Sequence, residues 1–131
     1  MAQAYSISRT VQKPYDAVLD AVREALVEQG IAVVTEFDIK ASFAKNLDVE
    51  VTPQVILGAC QSGLAYQALQ VDPSIATLIP VNVVVRFLDE DTTVVEAFDP
   101  ATIAGLTGGD AVRRLASDAR ERIVAALNSL P

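Results

Sequence analysis

At 131 residues, 51% hydrophobic and 21% charged, the chain is the length of one domain and carries enough apolar side chains to bury a core without cross-links. Its net charge of -7, from 17 acidic and 10 basic residues, disfavours nucleic acid or an anionic membrane surface as partner, and 5% aromatic content without tryptophan disfavours base stacking. Histidine is absent and cysteine occurs once, which excludes Ser-His-Asp and Cys-His nucleophile systems, His-ligated haem, zinc sites of the usual ligands and an intramolecular disulfide.

The opening MAQAYSISRT has no basic region followed by an apolar run, and no stretch approaches the ~20 apolar residues of a membrane span. The expectation is a soluble, cytoplasmic protein with a single domain over residues 1–131.

Weak alternation over residues 4–8 (AYSIS) predicts a first strand. Lys13-Pro14 then opens a helix in which Tyr15, Val18, Leu19, Val22 and Leu26 recur at the helical period, and Gly30 stands where a C-terminal glycine belongs. Residues 31–38 predict a second strand, with Ile31, Val33, Thr35 and Phe37 on one face and Ala32, Val34, Glu36 and Asp38 on the other. Asp38 can cap a short helix over 39–47. Pro53 precedes a third strand, QVILGAC, and Ser62 can cap a third helix that Asp72-Pro73 breaks. VNVVVRFL and TTVVEAF, around Asp89-Glu90-Asp91, predict a hairpin with a solvated acidic turn. Asp99-Pro100 and the TGGD segment are expected as loop. The last helix starts near Asp110 and buries Val112, Leu115, Ala119, Ile123, Ala126 and Leu127; its Arg113, Arg114, Arg120 and Arg122 alternate with Asp110, Asp118 and Glu121 as a solvated face.

These elements make an α+β domain: a two-layer arrangement of a five-stranded, largely antiparallel sheet with two long helices on one face. Val83 and Val85 oppose Val84, and Ile56 opposes Leu57, so the strands are apolar on both sides. A sheet with one wet face alternates more cleanly. The second face is therefore expected to be covered, by the short helices over 39–47 and 62–71, by a second copy of the chain or by a ligand.

The segments VVTEFDIKASFAKNL, VILGACQSGLAYQAL and IPVNVVV, followed by the Asp99-Pro100 pair, resemble the domain of unknown function 302 family in order and over nearly the whole chain. The resemblance implies a TATA-binding-protein-like β-α-β4-α fold with short inserted helices, paired as a homodimer. It implies no established activity. Glu36 and Asp38 match the family's acidic pair, Lys40 and Lys45 fall in its helix after the second strand, and Leu57, Gly58, Ala59 and Cys60 match its central signature. That signature commonly continues with Asn-Pro, whereas Gln61 and Ser62 stand here.

Six residues are the candidate ligand-binding set: Glu36, Asp38, Gly58, Cys60, Asn82 and Arg86. Cys60 lies at a strand end before a helix N-terminus, where amides and the helix dipole favour a thiolate; the plainer alternative is a small space-filler. Gly58 removes a side chain beside the sulfur, leaving room for a helix or a ligand. Glu36 and Asp38 have a spacing that suits paired carboxylates or a hard cation, or else Asp38 is a cap and Glu36 pairs with Lys40, Lys45 or Arg86. Arg86 and Glu96 form a cross-strand ion pair or a polar floor to a pocket.

No catalytic or metal-binding residue is assigned and the cofactor is unknown. The expectation is a homodimeric, non-enzymatic domain binding a small molecule in a cleft near the Cys60 strand end. The alternatives are a thiol-dependent redox or stress-response protein and a purely structural dimerisation domain.

Overall fold

The computed structural model describes residues 4–131. Strand β1 (Ser6–Val11) leads into helix α1 (Tyr15–Glu28), β2 (Ala32–Asp38), α2 (Ile39–Leu47), β3 (Gln54–Cys60) and α3 (Ser62–Val71). A 3-10 turn (Pro73–Leu78), the hairpin β4 (Val81–Asp89) and β5 (Thr92–Phe98), then α4 (Ala101–Thr107) and α5 (Asp110–Asn128) complete the chain. The five strands form one antiparallel sheet in the order β1-β5-β4-β3-β2.

Local chemistry sets most boundaries. Pro14 starts α1, since its fixed φ suits the first turn and its missing N–H is not needed there. Gly30, at φ +73°, ends the helix: its N–H donates to the Val27 carbonyl at 2.9 Å and the next N–H, of Ile31, to the Leu26 carbonyl at 2.9 Å. These paired bonds satisfy the last carbonyls, and the turn needs a left-handed residue that glycine supplies without strain. Asp38 ends β2 and caps α2, accepting from the Ala41 N–H at 3.0 Å.

The core lies between the sheet and the pair α1 and α5. Val18, Val22 and Leu26 of α1 and Ile123, Ala126 and Leu127 of α5 pack on Val55, Leu57, Ala59, Val83, Val85, Val95 and Ala97, all buried. Arg9 at the sheet edge secures the end of α5, donating from Nη1 to the carbonyls of Leu127 and Leu130 at 2.5 and 2.6 Å.

Several expectations change. The first strand runs over 6–11 rather than 4–8, because pairing with β5 from Ser6↔Phe98 to Val11↔Thr93 outweighs the weak local alternation. In β2, Val33 faces Ala59 but Thr35 faces Gly58, so Val34 is an extra residue and a bulge. The bulge flips the pattern: Val33, Glu36 and Asp38 share the helix-covered side, and Thr35 and Phe37 the other. Gln61, not Ser62, caps α3, its Oε1 accepting from the Leu64 N–H at 2.7 Å. The expected loop after Asp99-Pro100 holds a two-turn helix, α4, whose start is secured by the Asp99 carboxylate accepting from the Ala101 N–H at 2.9 Å and whose end is Gly108 at φ +76°.

Of the three covers expected for the second sheet face, the short helices leave it partly open. Helix α3 packs against α5 and the 3-10 turn, at the end of the sheet, while α2 runs beside β2 and β3. The row Phe37, Ile56, Val84, Glu96 and Ser8 therefore crosses the sheet with Phe37 48% exposed and Ile56 and Val84 half-buried.

Candidate functional site

Where β3 and β4 meet the helices, the core is incomplete. The last residues of β3 and the first of β4 (Ala59, Cys60, Val81) end under α3 and α5, and small side chains occupy the facing stripes of those helices: Ala65 and Ala68 on α3, Ala116 and Ala119 on α5. Helices held apart by larger neighbours but lined with alanine leave space between them. The result is a cavity of about 80 Å³ whose walls are almost wholly apolar. Leu64, Leu115, Ile75, Ile103, Val112 and Ile123 also line it, and Ile75, Ile103 and Val112 belong to a second small core.

Polar groups at this cavity are few. Cys60, half-buried, and Gln61 are on its wall. The Gln61 side chain is committed through Oε1 to the α3 cap. A wall of this composition offers nothing to a metal or to a charged reacting group and suits an apolar body.

Of the six candidate residues, Cys60 lines the cavity and the others sit elsewhere. Glu36 points to the helix side, where Arg23 of α1 holds it in an ion pair. Asp38 is the α2 cap. Tyr15 stands by these carboxylates: burial first, then the charges of Asp38, Asp16 and Glu36, raise its phenol above the usual 10.0, with Arg23 opposing. It stays neutral near neutral pH. Gly58 faces Thr35 and Asn82, and the space above it is filled by the Thr35 hydroxyl and the Pro80 ring rather than left for a ligand.

Arg86 lies on the second sheet face and donates to Glu96 Oε1 at 3.1 Å, while the Ser6 hydroxyl donates to Glu96 Oε2 at 2.7 Å. The Ser6 bond is the main reason the Glu96 carboxyl lies below its usual 4.5; burial opposes it and Arg86 adds to it. Ser6 was not among the sequence candidates, because only the β1–β5 register brings it to Glu96. Among the described residues no group of three or more carboxylate or thiol side chains is placed to hold a metal ion, and no helix is long and apolar enough to cross a membrane.

The sequence model of the domain of unknown function DUF302 matches residues 7–130. This chain belongs to the DUF302 family. A crystal structure of an uncharacterised conserved DUF302 protein from Bacillus stearothermophilus superposes with a TM-score of 0.88 at 21% identity, covering 98% of this chain and all of that one. The likeness is one of fold: the antiparallel sheet and its helices are shared. Comparison with curated proteins finds no match. The DUF302 domain described here thus has a family and a fold, and its cavity is the feature from which a function is read.

Proposed function

We propose that this DUF302 domain is a cytoplasmic, homodimeric, non-enzymatic binding protein that takes a small apolar to amphipathic molecule in the cavity beside Cys60. The cavity itself carries the reading. Its walls are almost wholly apolar, so an apolar ligand seated there takes both its own surface and that of the walls out of water. The absence of histidine and the near absence of polar groups on the wall support binding rather than catalysis. The half-exposed row Phe37, Ile56 and Val84 supports pairing of two copies through their second sheet faces.

Thermal-shift screening against apolar acids, nucleotides and haem tests the reading. A ligand at 100 times its Kd raises stability by about 2.7 kcal/mol. Hits confined to molecules with an apolar body are expected; silence across chemically broad sets would overturn it.

A second reading has the thiol as the working group, because the one cysteine of the chain lies on the cavity wall. It requires that Cys60 react with a thiol reagent in the native state faster than global unfolding allows, and that Cys60→Ser abolish a redox response. A thiol that is silent until the protein unfolds removes this alternative.

A further inference from the structure

A second hollow adjoins the cavity. It is an open groove of about 470 Å³ between α3 and α5, lined by Leu64, Gln67, Gln70, Arg114, Leu115 and Asp118 among others. Leu64 and Leu115 line both hollows, so the apolar cavity and the polar groove stand on either side of this leucine pair. Helical spacing explains the arrangement. Val112, Leu115, Ala116 and Ala119 form the inward stripe of α5, and Arg114 and Asp118 the stripe beside it.

Arg114 differs from the other arginines of the chain. Arg9, Arg23, Arg86, Arg113, Arg120 and Arg122 each reach a carboxylate or a backbone carbonyl, whereas Arg114 reaches no acceptor among the described residues. The carboxylate that shares its groove is already matched: Asp118 Oδ1 accepts from Arg122 Nε at 2.8 Å. In an acidic protein, the groove thus keeps one guanidinium without a protein partner among the described residues, on an exposed side chain, and the exposed Gln67 and Gln70 that line the same groove also offer N–H donors.

We propose that groove and cavity are two halves of one site for a small aliphatic carboxylic acid, its chain beyond the leucine pair in the cavity and its carboxylate on Arg114 between Gln67 and Gln70. The proposal rests on reading the cavity as a binding site and adds the ligand's charge and orientation. An anion matches the guanidinium fork and the amide donors; a cationic head would find the carboxamide oxygens of Gln67 and Gln70 and Asp118, which Arg122 already holds, but would face the Arg114 charge.

Octanoate, octan-1-ol and octylamine, which share one tail, test it by calorimetry and thermal shift. Octanoate should bind wild type about five- to tenfold tighter than octanol, and octylamine weaker than either. Arg114→Gln should bring octanoate to the octanol level and leave octanol unchanged, while Arg113→Gln, whose guanidinium is on Asp110, should alter neither. Ala119→Leu, or Ala68→Leu on the opposite wall if the first does not fold, should weaken all three by filling the cavity. Equal binding of acid and alcohol, or an octanoate advantage that survives Arg114→Gln, overturns the carboxylate assignment and leaves the cavity reading standing. Failure of all three to bind wild type, or binding indifferent to a filled cavity, overturns both.

Discussion

Thr35 on β2 occupies the space that a side chain on Gly58 of the neighbouring strand would need. A Cβ there would meet the Thr35 hydroxyl and come within 2.8 Å of the Pro80 ring. The hydroxyl can turn away, but the proline ring cannot, so Gly58→Ala forces two strands and the segment before β4 apart. The expected loss is about 1 to 3 kcal/mol, with Thr35→Ala restoring part of it. Urea unfolding of the single and double variants measures this; a Gly58→Ala protein as stable as wild type would overturn the close approach of Pro80 to Gly58 as a constraint.

Arg9 joins the first strand to the last helix. Its two bonds go to the Leu127 carbonyl, which also accepts from the Leu130 N–H at 3.3 Å, and to the Leu130 carbonyl just beyond α5, and its charge opposes the negative end of the helix dipole. Arg9→Met keeps the aliphatic stem, leaves the Leu130 carbonyl without its Arg9 donor and leaves the Leu127 carbonyl with only the long bond from the Leu130 N–H. A loss of about 1 to 3 kcal/mol is expected in denaturant titrations. Hydrogen exchange should quicken first in the last turn of α5, and uniform exchange along the helix would contradict the assignment.

Glu96 makes stability depend on acid. Its carboxyl lies below 4.5 in the folded protein, chiefly through the Ser6 hydroxyl, so it stabilises the fold fully above that value and progressively less as pH falls through the lowered one. The stability gap between wild type and Glu96→Gln from urea unfolding should therefore be flat near neutrality, under about 1 kcal/mol, and close in the acid range. Ser6→Ala should remove more of it than Arg86→Met. A gap that persists unchanged to about pH 3 would mean that Glu96 is not the titrating group.

At the start of α3, Gln61 caps with a side chain longer than the residues best suited to the role. Its backbone is extended (φ -97°, ψ 109°), which a following proline permits, and Ser62 is the first helical residue, where proline fits best. The pair Gln61→Asn and Ser62→Pro, the Asn-Pro that the sequence resemblance implies at these positions, should raise stability by about 0.5 to 1 kcal/mol. A melting temperature that falls would place an unrecognised role on Gln61 at the cavity wall.

The proposed pairing of two copies is open to a direct test. Val84→Asp sets a charge in the middle of the half-exposed row on the second sheet face. Sedimentation at low micromolar concentration should find the variant monomeric and its unfolding only slightly easier. A variant that remains paired would locate the interface elsewhere.

What could be read from the sequence was what the sequence decides locally. Gly30, Pro14 and Asp38 act within a few residues of themselves, so the limits of α1 and the start of α2 were legible. The bulge at Val34 was not, because it arises from the register with β3 and leaves no mark in the alternation of IAVVTEFD. Helix α4 was hidden by its Gly105, Gly108 and Gly109, which suggest loop, while its stability comes from Ile103 packing on Ile75 and Val112. Cys60 was legible as a place to look for a site. The alanines facing each other across α3 and α5 carried the rest of the signal, but each looks like an ordinary helix former until the two helices are brought together.

The extra residue at Val34 reaches beyond the register of one strand. β2 is the free margin of the sheet beyond β3, and its interruption there, with Val34 turned 56% to solvent, spoils the straight ladder on which a foreign strand would template itself. That margin is therefore a poor template for growth of the sheet from molecule to molecule, which is how an edge strand guards a protein against open-ended polymerisation.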